Sequence, residues 1–206
     1  MCNMSLFRSI ALPLLLASSL AAQTPPTRQV HGDTLVSPAD PAASLIVAPA
    51  FRYAGGQVID ILKVAGAEQY FFIDAAPDSA IRRFYWIQFE YFYPDNSHAY
   101  NYSGIKGQKP VMLGRLDFAG DIRRGPNYFT DDDRPGSDSK AAEEFLRAKG
   151  FRIGGTFITL RMFHLPDATR RRELMIIYGE VLPDSAAEQR IRADITAHAQ
   201  ANIRIP

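Results

Sequence analysis

Gln88 and Glu90 are the polar residues of this chain with the least ready structural explanation. They stand two apart in Arg82-Arg83-Phe84-Tyr85-Trp86-Ile87-Gln88-Phe89-Glu90-Tyr91-Phe92-Tyr93, which holds the only tryptophan and three of the nine tyrosines. In an extended strand Tyr85, Ile87, Phe89, Tyr91 and Tyr93 share one face, wholly apolar or aromatic. The other face mixes Phe84, Trp86 and Phe92 with Gln88 and Glu90. A carboxylate among aromatic rings needs a partner or holds its proton more tightly than usual. Partners that neighbouring strands could bring are His98, Arg115 and Arg161. One outcome is a structural ion pair or a place at the sheet edge. The other is a small-molecule pocket, with aromatic walls and a few convergent polar groups. Its candidate lining is Trp86, Gln88, Glu90, His98, Tyr100, Tyr102, Arg161 and Tyr178, and Tyr178 with Glu180 repeats the theme on one strand face.

Three functions fit these residues. The first is a non-enzymatic binder of a small apolar or amphipathic ligand, or of a partner, on an aromatic sheet face. The second is a hydrolase- or isomerase-like enzyme using Glu90 with His98 or His164 as acid and base. The third is a cell-envelope interaction protein, marked by a large exposed apolar patch. The usual catalytic signatures are missing: no GxxxxGK[ST], GxGxxG or GxSxG occurs. His31, His98, His164 and His198 lie far apart, without HxH or HExxH spacing. The acidic loop Asp131-Asp132-Asp133 lacks the ligand pattern of an EF-hand, with Pro135 and Ala142 at required oxygen positions. The residues assign no catalytic group, no metal site and no cofactor.

The elements that must position Glu90 are strands. The aromatic run itself reads as a long central strand closed by Pro94-Asp95-Asn96-Ser97. At about 3.3 Å per residue it is long enough to require a bulge or strong coiling. Before it, 57–64 and 68–74 form an antiparallel hairpin; after it, 98–102 alternates as another strand. Residues 110–118 are a further strand weakened by Gly114, and 120–139 is an irregular loop. A helix over 140–149, capped by Asp138 or Ser139, ends at Gly150. Strands 155–164 and 173–181 form the last hairpin. A final helix starts at Ser185 in capping-box spacing with Glu188 and buries Ile191, Ile195 and Ala199. The order implies an α+β fold: a single domain with a curved antiparallel sheet of about seven strands, one short helix before the last hairpin, and a C-terminal helix on the sheet.

Upstream, residues 1–22 carry Arg8, a short apolar run and small residues at Ser19 and Ala21, the pattern of a secretory signal peptide cleaved near Ala21-Ala22. The expected localisation is export, periplasmic or extracellular. Residues 23–50 are proline-rich and read as a flexible lead-in, with a short strand available at 44–48, and 51–206 as the folded domain. The one cysteine, Cys2, leaves with the signal, so the mature chain has neither disulfide nor thiol chemistry. Removing Arg8 leaves 22 basic against 22 acidic residues. That balance lacks the basic excess of a nucleic-acid binder. No second long apolar run offers a membrane span in the mature chain.

Overall fold

A computed structural model describes residues 26–126, 129 and 132–206. The segment 1–22, expected to be a signal peptide, and Asp131 of the acidic loop lie outside the described residues. The architecture is α+β, built on two antiparallel sheets and two helices.

The main sheet has seven strands: β4 (Arg52–Ile61), β5 (Ala65–Ala75), β6 (Ile81–Phe92), β7 (Lys109–Leu113), β8 (Leu116–Pro126), β9 (Thr156–His164) and β10 (Arg172–Leu182). Their spatial order is β4-β5-β6-β10-β9-β8-β7. The aromatic run is therefore a central strand, flanked by β5 and β10. Its irregularity sits at its start, where the register with β5 shifts between Asp74 and Ala75.

A second, four-stranded sheet is formed by β1 (Gln29–His31), β2 (Thr34–Ser37), β3 (Ala43–Val47) and β11 (Ile203–Arg204). Twelve residues of the segment expected to be a flexible lead-in are thus paired backbone. Leu35, Leu45 and Val47 alternate into the core and supply the apolar face that the prolines obscured.

Both faces of the main sheet are covered. On one, Tyr85, Ile87 and Phe89 pack with Leu174, Ile176 and Tyr178 against α2 (Glu188–Asn202) and the small sheet. Ile191, Ile195 and Ala199 are the buried stripe of α2, as their spacing implied, and Tyr85 Oη donates to Ala199 O at 2.7 Å. The cap differs. Asp184, not Ser185, accepts from Ala187 N, and a 3-10 turn at Ser185–Ala187 leads into the helix. On the other face, Phe84, Trp86 and Phe71 pack against α1 (Asp138–Ala148), whose N-cap is Ser137. Phe145 of α1 stacks on Phe71 at 5.3 Å. Double coverage explains why ten of the eleven residues of β5, polar ones included, are buried.

Three other expectations change. Residues 110–118 are not one strand but the β7–β8 hairpin. Gly114 turns it with φ +57°, and Ile205 O passes so close that any Cβ there would collide with it. Strand β8 also runs well into the stretch read as an irregular loop. Residues 98–102 form no strand. Both edges of β6 are already paired, so this segment crosses the sheet face as part of a strap, residues 94–108. Among the described residues, no helix is long and apolar enough to cross a membrane.

Candidate functional site

The face of the sheet under α1 carries a row of side chains that strand pairing places in register. Gln57 on β4, Gln69 on β5 and Gln88 on β6 are direct cross-strand neighbours. One step along, Glu90 on β6 stands opposite Glu173 on β10. Period-2 alternation puts all five on one face, and adjacent strands bring such neighbours to about 5 Å between Cβ atoms.

The glutamines form a relay. Gln57 Nε2 donates to Gln69 Oε1 at 2.8 Å, and Gln69 Nε2 donates to Gln88 Oε1 at 2.8 Å. Gln88 Nε2 donates in turn to Glu90 Oε2 at 2.7 Å. Helix α1 completes the row through backbone carbonyls, Ala141 O accepting from Gln57 and Asp138 O from Gln69. Trp86 Nε1 also donates to Gln88 Oε1, at 3.2 Å. Gln69 and Gln88 are fully buried, so each bond replaces one that water would otherwise make. Replacing Gln69 with leucine strips Gln57 of an acceptor and the Asp138 carbonyl of a donor. The expected loss is about 2 kcal/mol of stability, read as a lower urea midpoint with an unchanged slope.

The strap closes the row with two phenols. Tyr100 Oη donates to Glu90 Oε1 at 2.6 Å, and Tyr102 Oη donates to Glu173 Oε1 at 2.5 Å. Their rings stack in a continuous series. Phe92 and Tyr100 lie 4.4 Å apart, Tyr100 and Tyr102 6.2 Å, and Tyr102 and Phe163 4.2 Å. The strap's backbone is tied down by Tyr100 N to Arg170 O, and by Arg171 donating to the carbonyls of His98 and Tyr93.

Three carboxyls converge here with raised proton affinity. Burial pushes Glu90 up to about 7, with the Asp138 charge adding to it. Burial pushes Glu173, 3% exposed, up to about 8, and the Glu90 charge contributes. Asp138 is raised as well, chiefly by burial. Tyr100 and Tyr102 are held well above the usual phenol range by burial and by the neighbouring carboxyls, so both remain donors. No group of three or more metal-ligating side chains is arranged to hold an ion among the described residues.

The structure thus gathers Trp86, Gln88, Glu90, Tyr100 and Tyr102, and leaves out five other candidates. His98 is exposed on the strap, its ring 5.6 Å from Phe92, and no hydrogen bond joins it to Glu90. His164 Nδ1 pairs with Asp117 O at 2.8 Å, so neither histidine supports an acid–base partnership with Glu90. Arg161 lies on the right face, forms an ion pair with Asp121, and reaches Glu173 as a nearby charge. Arg115 donates to Ala42 O instead. Tyr178 belongs to the opposite face, where it donates to Glu180 Oε1 at 2.6 Å beside His198. Gln57, Gln69, Asp138 and Glu173 join the site without any mark of their own in the sequence. The signal that could reveal the strand residues is parity: Gln57, Gln69 and Glu173 fall on the α1 side once the register is known.

Glu90 also lines a cleft of about 270 Å³ at the end of the sheet, together with Arg28, Asp40, Phe89, Tyr91 and Arg172. Arg28 lies over the Phe89 ring at 3.8 Å and pairs with Glu68, while Arg172 pairs with Asp40. Tyr91, expected in the apolar face, is 46% exposed at this end. The cleft therefore offers the Phe89 and Tyr91 rings, the Arg28 and Arg172 guanidiniums and the Asp40 carboxylate in one concave place, the Glu90 carboxyl being taken up by Gln88 and Tyr100. No protein-family model matches the chain, and neither the curated proteins nor the solved structures provide a match, so the site is read on its own chemistry.

Proposed function

We propose that this is an exported protein that binds a small amphipathic ligand in the cleft at the end of β6, without catalysing a reaction. The observation that carries the reading is the double position of Glu90. Glu90 lines the cleft, while its carboxyl, on the opposite face from the Phe89 and Tyr91 rings, terminates the buried glutamine relay. Phe89 and Tyr91 would take the apolar part of the ligand, and Arg28, Arg172 and Asp40 its polar end. The signal-peptide pattern at 1–22 supports export. The cleft is small, which suits a single ring or short chain rather than a lipid with two tails.

Native mass spectrometry of the purified mature protein tests the binding reading, with 1-anilinonaphthalene-8-sulfonate as an amphipathic probe. A co-purified small molecule, or probe binding weakened about tenfold by Tyr91→Ala and by Arg172→Ala, is the expected result; tenfold corresponds to about 1.4 kcal/mol. Both side chains are at least half-exposed or nearly so, and either variant should fold. Clean apo spectra together with probe binding unaffected by both variants would sink the reading.

A further inference from the structure

We propose that the strap 94–108 is a latch over the sheet face, closed while the Glu90–Glu173 pair holds protons and released when the pair ionises. This rests on the proposed function only for its purpose, coupling the state of the strap to Glu90, a residue that also lines the cleft.

The geometry makes the strap separable from the sheet. It adds no strand to either sheet, and its two side-chain hydrogen bonds to the sheet face come from one short stretch, Tyr100 and Tyr102. Both end on carboxyls that stand directly opposite one another across β6 and β10. A protonated pair is neutral and can sit under stacked rings. An ionised pair places two like charges side by side in a water-poor place, a cost that opening the strap to solvent relieves.

Two effects oppose each other. Ionisation strengthens the phenol bonds, because a charged acceptor binds a donor more tightly. It also incurs the desolvation and repulsion just described. The second effect wins at both residues, since each holds its proton more tightly than an ordinary glutamate despite its phenol.

Other charged groups reinforce that direction or are already engaged. Asp138, at the start of α1, faces Gln88 at 3.5 Å and adds a third carboxyl, with Asp132 behind it. Arg161 on β9 is the cation that reaches Glu173, and it forms an ion pair with Asp121. Strands β4 and β5 face the pair with the neutral Gln57 and Gln69. His98, on the strap itself, points its ring at Phe92.

Hydrogen exchange on the unliganded full protein tests the latch. The reporters are the Tyr100 amide, bonded to Arg170 O, and the Ile105 amide, bonded to Tyr102 O. After correction for the intrinsic rate, their exchange should rise at least about tenfold between pH 5.5 and 8.5, while amides in the middle of β5 and β10 stay protected. In the Glu90→Gln and Glu173→Gln variants, singly and together, the rise should shrink or vanish. Emission from Trp86, the one tryptophan, gives a second readout through its bond to Gln88 and needs only the natural protein. A strap equally protected at both pH values would overturn the latch, as would a rise of the same size in the double variant. Neither result depends on a ligand, so failure of the latch and failure of the binding reading are separate outcomes.

Discussion

Glutamine at both position 90 and position 173 should raise the stability of this protein at pH 8 and flatten its dependence on pH. Both carboxyls bind protons more tightly in the folded chain than in the unfolded one. Their contribution is complete below the unfolded glutamate value, about 4.3, and is lost as pH rises through about 7 and 8. Glutamine copies the shape of the protonated acid and cannot ionise, so the loss disappears. The natural protein should lose on the order of 3 kcal/mol between pH 5 and pH 8.5, or about 10 °C in Tm for a chain of this size. The double variant should lose less than a third of that. Carboxylates of the opposite kind set the acid limb. Glu68, Asp74 and Asp121 have lowered proton affinity through their hydrogen bonds and arginine partners, although burial acts against it. Their contribution is present above the unfolded value and is lost as pH falls through the folded one. Stability should therefore peak near pH 5 and decline on both sides, as urea midpoints measured across the range will show.

Glu68→Ala should cost more than any other single change of a charged residue considered above. Its carboxylate accepts from Thr27 N and Oγ1, Arg28 N and Nη1, and Tyr70 Oη, at distances between 2.5 and 3.2 Å. Those bonds moor the start of the small sheet to the main one. The pair is nearly dry, with Arg28 and Glu68 side chains 13% and 10% exposed. Removing one member leaves a buried guanidinium uncompensated, a loss of about 3–5 kcal/mol. Glu68→Gln keeps much of the hydrogen bonding and should lose about half as much. A midpoint shift below about 1 kcal/mol for Glu68→Ala would mean that the two sheets are held by apolar packing alone.

Much of this architecture is legible in the residues. Alternation through Tyr85, Ile87 and Phe89 marks one core face, and Trp86, Gln88 and Glu90 mark the other. The four-residue spacing of Ile191, Ile195 and Ala199 marks the buried stripe of α2. Of the small sheet only β3 is legible, as the short strand at 44–48; β1 and β2 are short, prolines separate β2 from β3, and β11 pairs with β3 from the far end of the chain. The strap hides for a subtler reason. Tyr100 and Tyr102 do share a side, as alternation requires, but the same pattern serves a segment lying on a sheet face. Which it is depends on whether β6 has a free edge, and that depends on β10, some eighty positions later. Glu173 illustrates the same limit. It is one more charged residue at a strand start until the β6–β10 register sets it opposite Glu90.

Protonation of the Glu90–Glu173 pair is the claim on which the rest depends, and carboxyl carbon NMR observes it directly. Protein labelled with 13C at the glutamate side-chain carboxyl would be titrated from pH 4 to pH 9. The resonances of the pair would be assigned from the Glu90→Gln and Glu173→Gln spectra. Two resonances changing in two steps, near pH 7 and near pH 8, is the predicted result. Both changing below pH 5 would contradict the account.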